Sequence, residues 1–247
     1  MNMKKIIFAG ICVVVLTQCK PYEIPFVKFA SVAVTHTSPG TGSVDILVDG
    51  LVTSIARIGY NVTTRTNGAG NSVYLPVKVG SRTIMFSADT AKTNFFLTTG
   101  DYTEGKIHSI YAYDTLLNGK VRFMKLNDNL TLPTGTNAKV RFLNLAPLLV
   151  PVDVTFLRTS ATPLDSVTIS NIAYAGATPN TTVLEQFVSL PGGTYTIKLK
   201  NAGTQTVVIS ATTSTMLTAA RITTVFASGT VKSLPLAINT INNFGSL

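Results

Sequence analysis

His36, Ser38, Asp45 and Asp49 are the residues of this 247-residue chain whose types could do chemistry together. An imidazole, a hydroxyl and a carboxylate are the makings of a hydrolase, in which the acid orients the base and the base activates the nucleophile. The surrounding sequence argues against that reading. No Gly-x-Ser-x-Gly turn presents the serine, and Ser38 precedes Pro39, which suits a loop whose hydroxyl bonds its own turn. Glutamates stand only at positions 23, 104 and 185, and the aspartates are scattered over turns, so no glycosidase-type carboxylate pair stands out. With 2 Cys and 2 His and no Asp-x-Asp-x-Asp-Gly loop, neither a zinc site nor a calcium loop is expected. The expectation is a protein that is not an enzyme and needs no cofactor or metal.

Tyrosines are the other lead. Tyr60, Tyr74, Tyr102, Tyr111 and Tyr113 crowd the first half, whereas the second has Tyr174 and Tyr195. Exposed tyrosines stack on sugars or anchor protein interfaces, so these five are candidate ligand or partner contacts. The absence of Trp counts against a dedicated sugar platform.

The elements that would position these residues are strands. The sequence repeats itself: Val32-Ala33-Val34-Thr35-His36-Thr37-Ser38-Pro39, then Val44-Asp45-Ile46, aligns without a gap to Val140-Arg141-Phe142-Leu143-Asn144-Leu145-Ala146-Pro147, then Val152-Asp153-Val154. Ile107-His108-Ser109-Ile110-Tyr111-Ala112 likewise aligns to Ile222-Thr223-Thr224-Val225-Phe226-Ala227. A period near 110 residues reads as two copies of one domain, residues 28–130 and 139–247, joined by a linker at 131–138. His36, Pro39 and Asp45, with their counterparts Asn144, Pro147 and Asp153, are then repeated loop and strand positions. For the aspartates a structural role is expected, a carboxylate beside a loop accepting backbone N–H bonds.

Val44, Ile46 and Val48 alternate with Asp45 and Leu47, and Asp49-Gly50 follows as a two-residue hairpin turn. Asn118-Gly119 marks a second hairpin. The stretch Lys120 to Lys125 reads as a strand with a basic outer face. The fold class expected is all-β: two tandem immunoglobulin-like antiparallel β-sandwich domains after a lipoprotein signal peptide.

That signal is residues 1–18. Lys4 and Lys5 precede an uncharged apolar run from Ile6 to Leu16, too short to span a bilayer, for which about 20 residues are needed. Leu16-Thr17-Gln18-Cys19 resembles a bacterial lipobox, so Cys19 is the expected lipidation site, carrying acyl chains such as palmitate, with residues 19–27 as a tether. Cleavage lowers the formal net charge from +9 to +7 and leaves no cysteine pair for a disulfide. The remaining charge is diffuse and no nucleic-acid reader motif accompanies it, so nucleic acid is not an expected partner. The expected location is the cell envelope, as an outer-membrane lipoprotein of a Gram-negative bacterium. Asp89-Thr90-Ala91, Asp114-Thr115-Leu116 and Asp165-Ser166-Val167 are similar to an O-glycosylation sequon of some export systems.

The run from Thr35 to Gly50, with His36-x-Ser38-Pro39 followed by Val44-Asp45-Ile46-Leu47-Val48-Asp49-Gly50, resembles the opening of the domain of unknown function 4397 family. Ile110-Tyr111-Ala112-Tyr113 is similar to its later strand. The second copy has Asn144 in place of His36 and lacks the Asp-Gly. The resemblance implies exported β-sandwich modules, often in tandem, and brings no catalytic residues. The function expected is an adhesive, accessory or structural interaction module bound to the membrane through its lipid. Its partners would be envelope proteins or glycans. The alternative is a glycan-binding component of a surface uptake system.

Overall fold

β-Branched side chains pack well on a pleated surface, and this chain is rich in them. The computed structural model describes residues 26–64, 74–88, 93–115, 121–147, 149–163, 165–211, 213–230 and 234–243, and it is all-β apart from one turn of helix. The signal segment, Cys19, Asn118-Gly119 and Asp89-Thr90-Ala91 lie outside the described residues.

Four sheets are formed among the described residues. β1 (Phe29–His36), β4 (Val62–Thr63), β8 (Ile107–Tyr113) and β9 (Arg122–Asn127) make the first inner sheet in the order β4-β1-β8-β9, and β5 (Leu75–Lys78) also pairs with β1. β2 (Val44–Val48), β3 (Leu51–Val52), β6 (Gly80–Ala88) and β7 (Thr93–Tyr102) make the first outer sheet, β3-β2-β6-β7. The same order recurs downstream. β10 (Asn137–Asn144), β13 (Val188–Pro191), β17 (Ile222–Thr230) and β18 (Leu234–Asn243) make the second inner sheet, β13-β10-β17-β18. β11 (Val152–Arg158), β12 (Asp165–Ile172), β14 (Gly193–Asn201) and β15 (Val207–Ser210) make the second outer sheet, β12-β11-β14-β15, where β16 (Thr215–Leu217) also pairs with β14. The helix, α1 (Thr181–Leu184), is capped by Asn180, whose side chain accepts from the Val183 N–H.

The expected Asp49-Gly50 hairpin is present. Leu47 pairs with Val52 and Val48 with Leu51, and both turn residues have positive φ, 51° and 80°, as a two-residue turn of this kind requires. Three expectations need correction. The sheets are not purely antiparallel: β1 runs parallel to β8, and β10 to β17. The outer-sheet strands lie between these partners in sequence, so the chain re-enters the inner sheet in its original direction. The basic residues of β9 do not share one face: Arg122, which reaches Asp114 at 2.6 Å, and Lys125, whose ammonium lies 4.9 Å from the Tyr102 ring centroid, are three residues apart and point to opposite sides of the strand. β10 starts at Asn137, inside the expected linker, where the Asn137 carbonyl accepts from Ala220.

Each inner sheet packs one face on its own outer sheet. Val32, Val34, Ile46, Ile84, Phe86 and Ile110 fill the first of these cores. Val140, Phe142, Val154, Phe156, Ile197 and Val225 fill the second. A third core joins the halves: Tyr111, Tyr113, Met124 and Leu126 from the first inner sheet meet Leu143, Phe226 and Ile241 from the second. The central inner strands β1, β8, β10 and β17 are therefore covered on both faces along most of their length, and all nine residues of β17 are buried. Such strands read as continuous apolar runs rather than alternating ones.

Candidate functional site

His36 ends β1 and is buried, with its imidazole edge-on to Tyr60 and Phe86. Nε2 lies 2.9 Å from the Gly42 carbonyl, to which its hydrogen is donated, and 2.8 Å from Thr41 Oγ1. Nδ1 faces the Ser38 N–H at 3.4 Å. The Ser38 hydroxyl donates to the Asp114 carbonyl at 2.7 Å. Asp45 faces Arg57 at 3.6 Å, and Asp49 accepts from the Thr83 N–H at 2.9 Å. The four residues that could make a hydrolase are each bonded to loop or strand groups, Ser38 to the carbonyl of Asp114 after β8 rather than to its own turn as expected, and Pro39 is buried beside Ser38. The fold brings His36 and Ser38 together as a loop clasp.

Burial holds the His36 pKa below its ordinary 6.5, against the Gly42 hydrogen bond, which raises it. The unfolded chain then takes up a proton in a window where the folded chain does not. The stabilisation is complete above pH 6.5 and is lost as pH falls from there through the folded pKa. His108 contributes in the same direction, lowered by burial and then by Lys125. His36→Asn installs the residue of the repeat counterpart, and is expected to shrink the stability difference between about pH 5 and about pH 8 without removing the His108 share. Urea unfolding at the two pH values measures it; an unchanged difference would contradict this assignment.

At the repeat counterparts, Asp153 accepts from the N–H groups of Asn171 at 2.8 Å and Gly203 at 2.9 Å, which hold its pKa below the usual carboxylate value. Asn144 is buried, with its amide 3.5 Å from the Ile172 carbonyl, and Pro147 is buried beside it.

The tyrosines do not form an exposed platform. Tyr102, Tyr111 and Tyr113 are buried: Tyr111 and Tyr113 because β8 is covered on both faces, and Tyr102 because it turns from the end of β7 into the first core. Tyr102 packs edge-on to His108, at 5.3 Å between centroids, and burial pushes its hydroxyl up to about 12. Tyr113 donates to the Gly176 carbonyl at 2.7 Å, and Tyr111 accepts from Arg141 at 3.2 Å. The surface that these last two contact is the other half of the same chain. Tyr60 and Tyr74 are half-buried, Tyr60 against His36 and Tyr74 accepting from Asn243 at 3.4 Å.

The junction also holds a charged group that sequence reasoning passed over. Arg141, 1% exposed, lies 2.7 Å from the Asp128 carboxylate, whose side chain is fully buried. Its Nε donates to Thr224 Oγ1 at 2.9 Å, and its guanidinium lies 4.6 Å from the Phe187 ring centroid. Burial disfavours the charge, but Asp128 and Tyr111 outweigh it, and the Arg141 pKa stands above the ordinary guanidinium value. The surroundings are pseudo-symmetric. Ser109 Oγ donates to Asp128, and Thr224 Oγ1, its repeat counterpart, donates to Asn243 at 2.7 Å. Arg141 itself aligns with Ala33, so the cation is present once. The one available signal was an arginine inside the apolar run Val140-Arg141-Phe142-Leu143.

Beside this pair an open cleft of about 730 Å³ runs between the halves. Lys106, Asn127 and Asn129 line it from the first half, and Lys139, Glu185 and Phe187 from the second. Glu185 Oε1 accepts from both the backbone and the side-chain amide of Asn127, each at 2.8 Å. Lys139 donates to the Thr131 carbonyl at 2.6 Å. Among the described residues no three His, Cys, Asp or Glu side chains converge as a metal site, and no helix is long and apolar enough to cross a membrane.

The molecule is thus an all-β protein of paired sheets with a polar cleft at their junction. The model of the family "Domain of unknown function (DUF4397)" matches residues 30–155, just over half the chain, and the chain belongs to that family. The match takes in the whole first half and ends within β11. No curated protein matches the chain. One solved structure that it resembles is described as a "putative cell adhesion protein from Bacteroides ovatus ATCC 8483", with 10% identity, covering 90% of this chain and 100% of that one, at a TM-score of 0.19. A likeness so slight carries no argument here.

Proposed function

We propose that the chain is a non-enzymatic lipoprotein of the cell envelope, anchored in the outer membrane through Cys19. Its two tandem immunoglobulin-like sandwiches would serve as an adhesive, accessory or structural interaction module. The observation that carries the reading is how the reactive residue types are used: His36, Ser38, Asp45 and Asp49 hold loops and turns in place. The tandem arrangement is supported by the strand order, which is the same in both sheet pairs. Anchoring is supported by the lipobox-like Leu16-Thr17-Gln18-Cys19, since several acyl chains on one terminus, at about 0.8 kcal/mol per buried CH₂, hold a protein on a bilayer. A tyrosine platform for glycans has no support once Tyr102, Tyr111 and Tyr113 are buried.

Intact-mass analysis of the membrane-extracted protein tests the anchor. A mature chain beginning at Cys19 and carrying acyl mass is expected, and Cys19→Ser should release the protein from the membrane fraction. A mature terminus without acyl groups would contradict it.

A further inference from the structure

We propose that the cleft between the two inner sheets binds an acidic oligosaccharide, whose sugar rings carry carboxylates. This rests on the reading of the protein as a non-enzymatic binding module and gives that module a site and a ligand class. The cleft's volume, about 730 Å³, falls in the range of roughly 300–1,000 Å³ typical of small-ligand sites, and such sites favour junctions between folded units. Its walls come from both halves, and the third core fixes the halves against each other, so the site is formed before the ligand arrives.

The chemistry of the walls selects the ligand. Phe187 borders the cleft half-buried, with Arg141 held over its ring. An aromatic ring offers the flat apolar surface on which the C–H face of a sugar stacks. Around it stand planar polar groups: the Asn129 amide, whose Oδ1 accepts from the Thr131 N–H and whose Nδ2 is left to donate, the Gln186 amide, whose Nε2 donates to the Thr182 carbonyl and whose Oε1 is left to accept, and the Glu185 carboxylate, a set that matches neighbouring sugar hydroxyls. Glu185 takes both of its Asn127 bonds through Oε1, which leaves Oε2 for a ligand hydroxyl.

Charge decides for an acidic sugar over a neutral one. Lys106 is exposed, and its ammonium has no partner among the described residues. Lys139 bonds one carbonyl and keeps two further N–H donors. Asp128 is neutralised by Arg141, so Glu185 is the one carboxylate set against two ammonium groups. A carboxylate on the ligand would complete the balance through charge-assisted hydrogen bonds.

Calorimetry on the full chain in detergent, with oligogalacturonate and with its methyl-esterified form, tests this. The acid is expected to bind saturably and the ester about tenfold or more weakly, the loss of a charge-assisted contact. Lys106→Ala, at an exposed position that leaves folding intact, should weaken acid binding about tenfold, and Gln186→Ala several-fold. Lys78→Ala, an exposed lysine outside the cleft, should change nothing. Absence of saturable binding at about 1 mM, equal binding of the ester, or indifference to Lys106→Ala would overturn the proposal. If the oligosaccharide is shortened in a Lys106-dependent way, the cleft stands and the non-enzymatic reading falls. If it binds and stays intact, both stand.

Discussion

Replacing Arg141 by Met is expected to lower the unfolding free energy by about 3–5 kcal/mol, a large share of the stability of any domain. The reason lies in what remains. Asp128 keeps a fully buried side chain with a hydrogen bond from Ser109 and no cation. An ion pair in the interior contributes little beyond the cost of drying its two charges, but an orphaned buried charge is strongly unfavourable. The second substitution should therefore reverse most of the first. Asp128→Asn in the Arg141→Met background gives the first half the amide that the second half already has at Asn243, and most of the lost stability should return. Urea unfolding of the wild type, the single variant and the double variant measures the coupling. A single-variant loss under about 1 kcal/mol would contradict the view of Asp128 as a buried charge that depends on Arg141.

Phe226→Ala is expected to have a comparable effect, about 3–5 kcal/mol, for a different reason. Phe226 is fully buried, and its ring belongs to the core shared by the two inner sheets rather than to the core of its own half. Truncation leaves a cavity that strands β8, β9, β10 and β18 cannot close, because each is held in register by its own sheet. The loss should therefore be felt in the first half, which does not contain residue 226, as strongly as in the second.

Local signals carried the strands and turns. Asp49-Gly50 marks its hairpin because the required positive φ is a property of two residues, and the recurrence of Val44-Asp45-Ile46 as Val152-Asp153-Val154 marks β2 and β11 because alternation is a property of five or six. The loop position of Ser38-Pro39 was legible for the same reason, but the partner of the Ser38 hydroxyl, the Asp114 carbonyl, was not, because it lies far away in sequence. What the sequence could not show is which face of a strand is covered twice. Tyr111 and Tyr113 stand two apart and share a face, which the alternation reveals, but that face is closed by Leu143 and Phe226, residues on strands from the other half of the chain. The parallel pairing of β1 with β8 is likewise a long-range fact, set by where the chain re-enters the sheet. The cleft was illegible because Lys106, Lys139 and Glu185 are far apart in sequence and meet only once the halves dock. Arg141 was the exception. An arginine between valine and phenylalanine in a strand, where the repeat has Ala33, is a local anomaly that points to a buried partner.

Native-state hydrogen exchange in the Phe226→Ala variant tests most directly whether the two halves form one cooperative body. The reporters are the Phe86 amide, within the first core, and the Phe156 amide, within the second. The exchange free energies at both sites should fall together, by the same few kcal/mol that urea unfolding records. A fall at Phe156 alone, with Phe86 protected as in the wild type, would contradict the account and make the halves independent domains in contact.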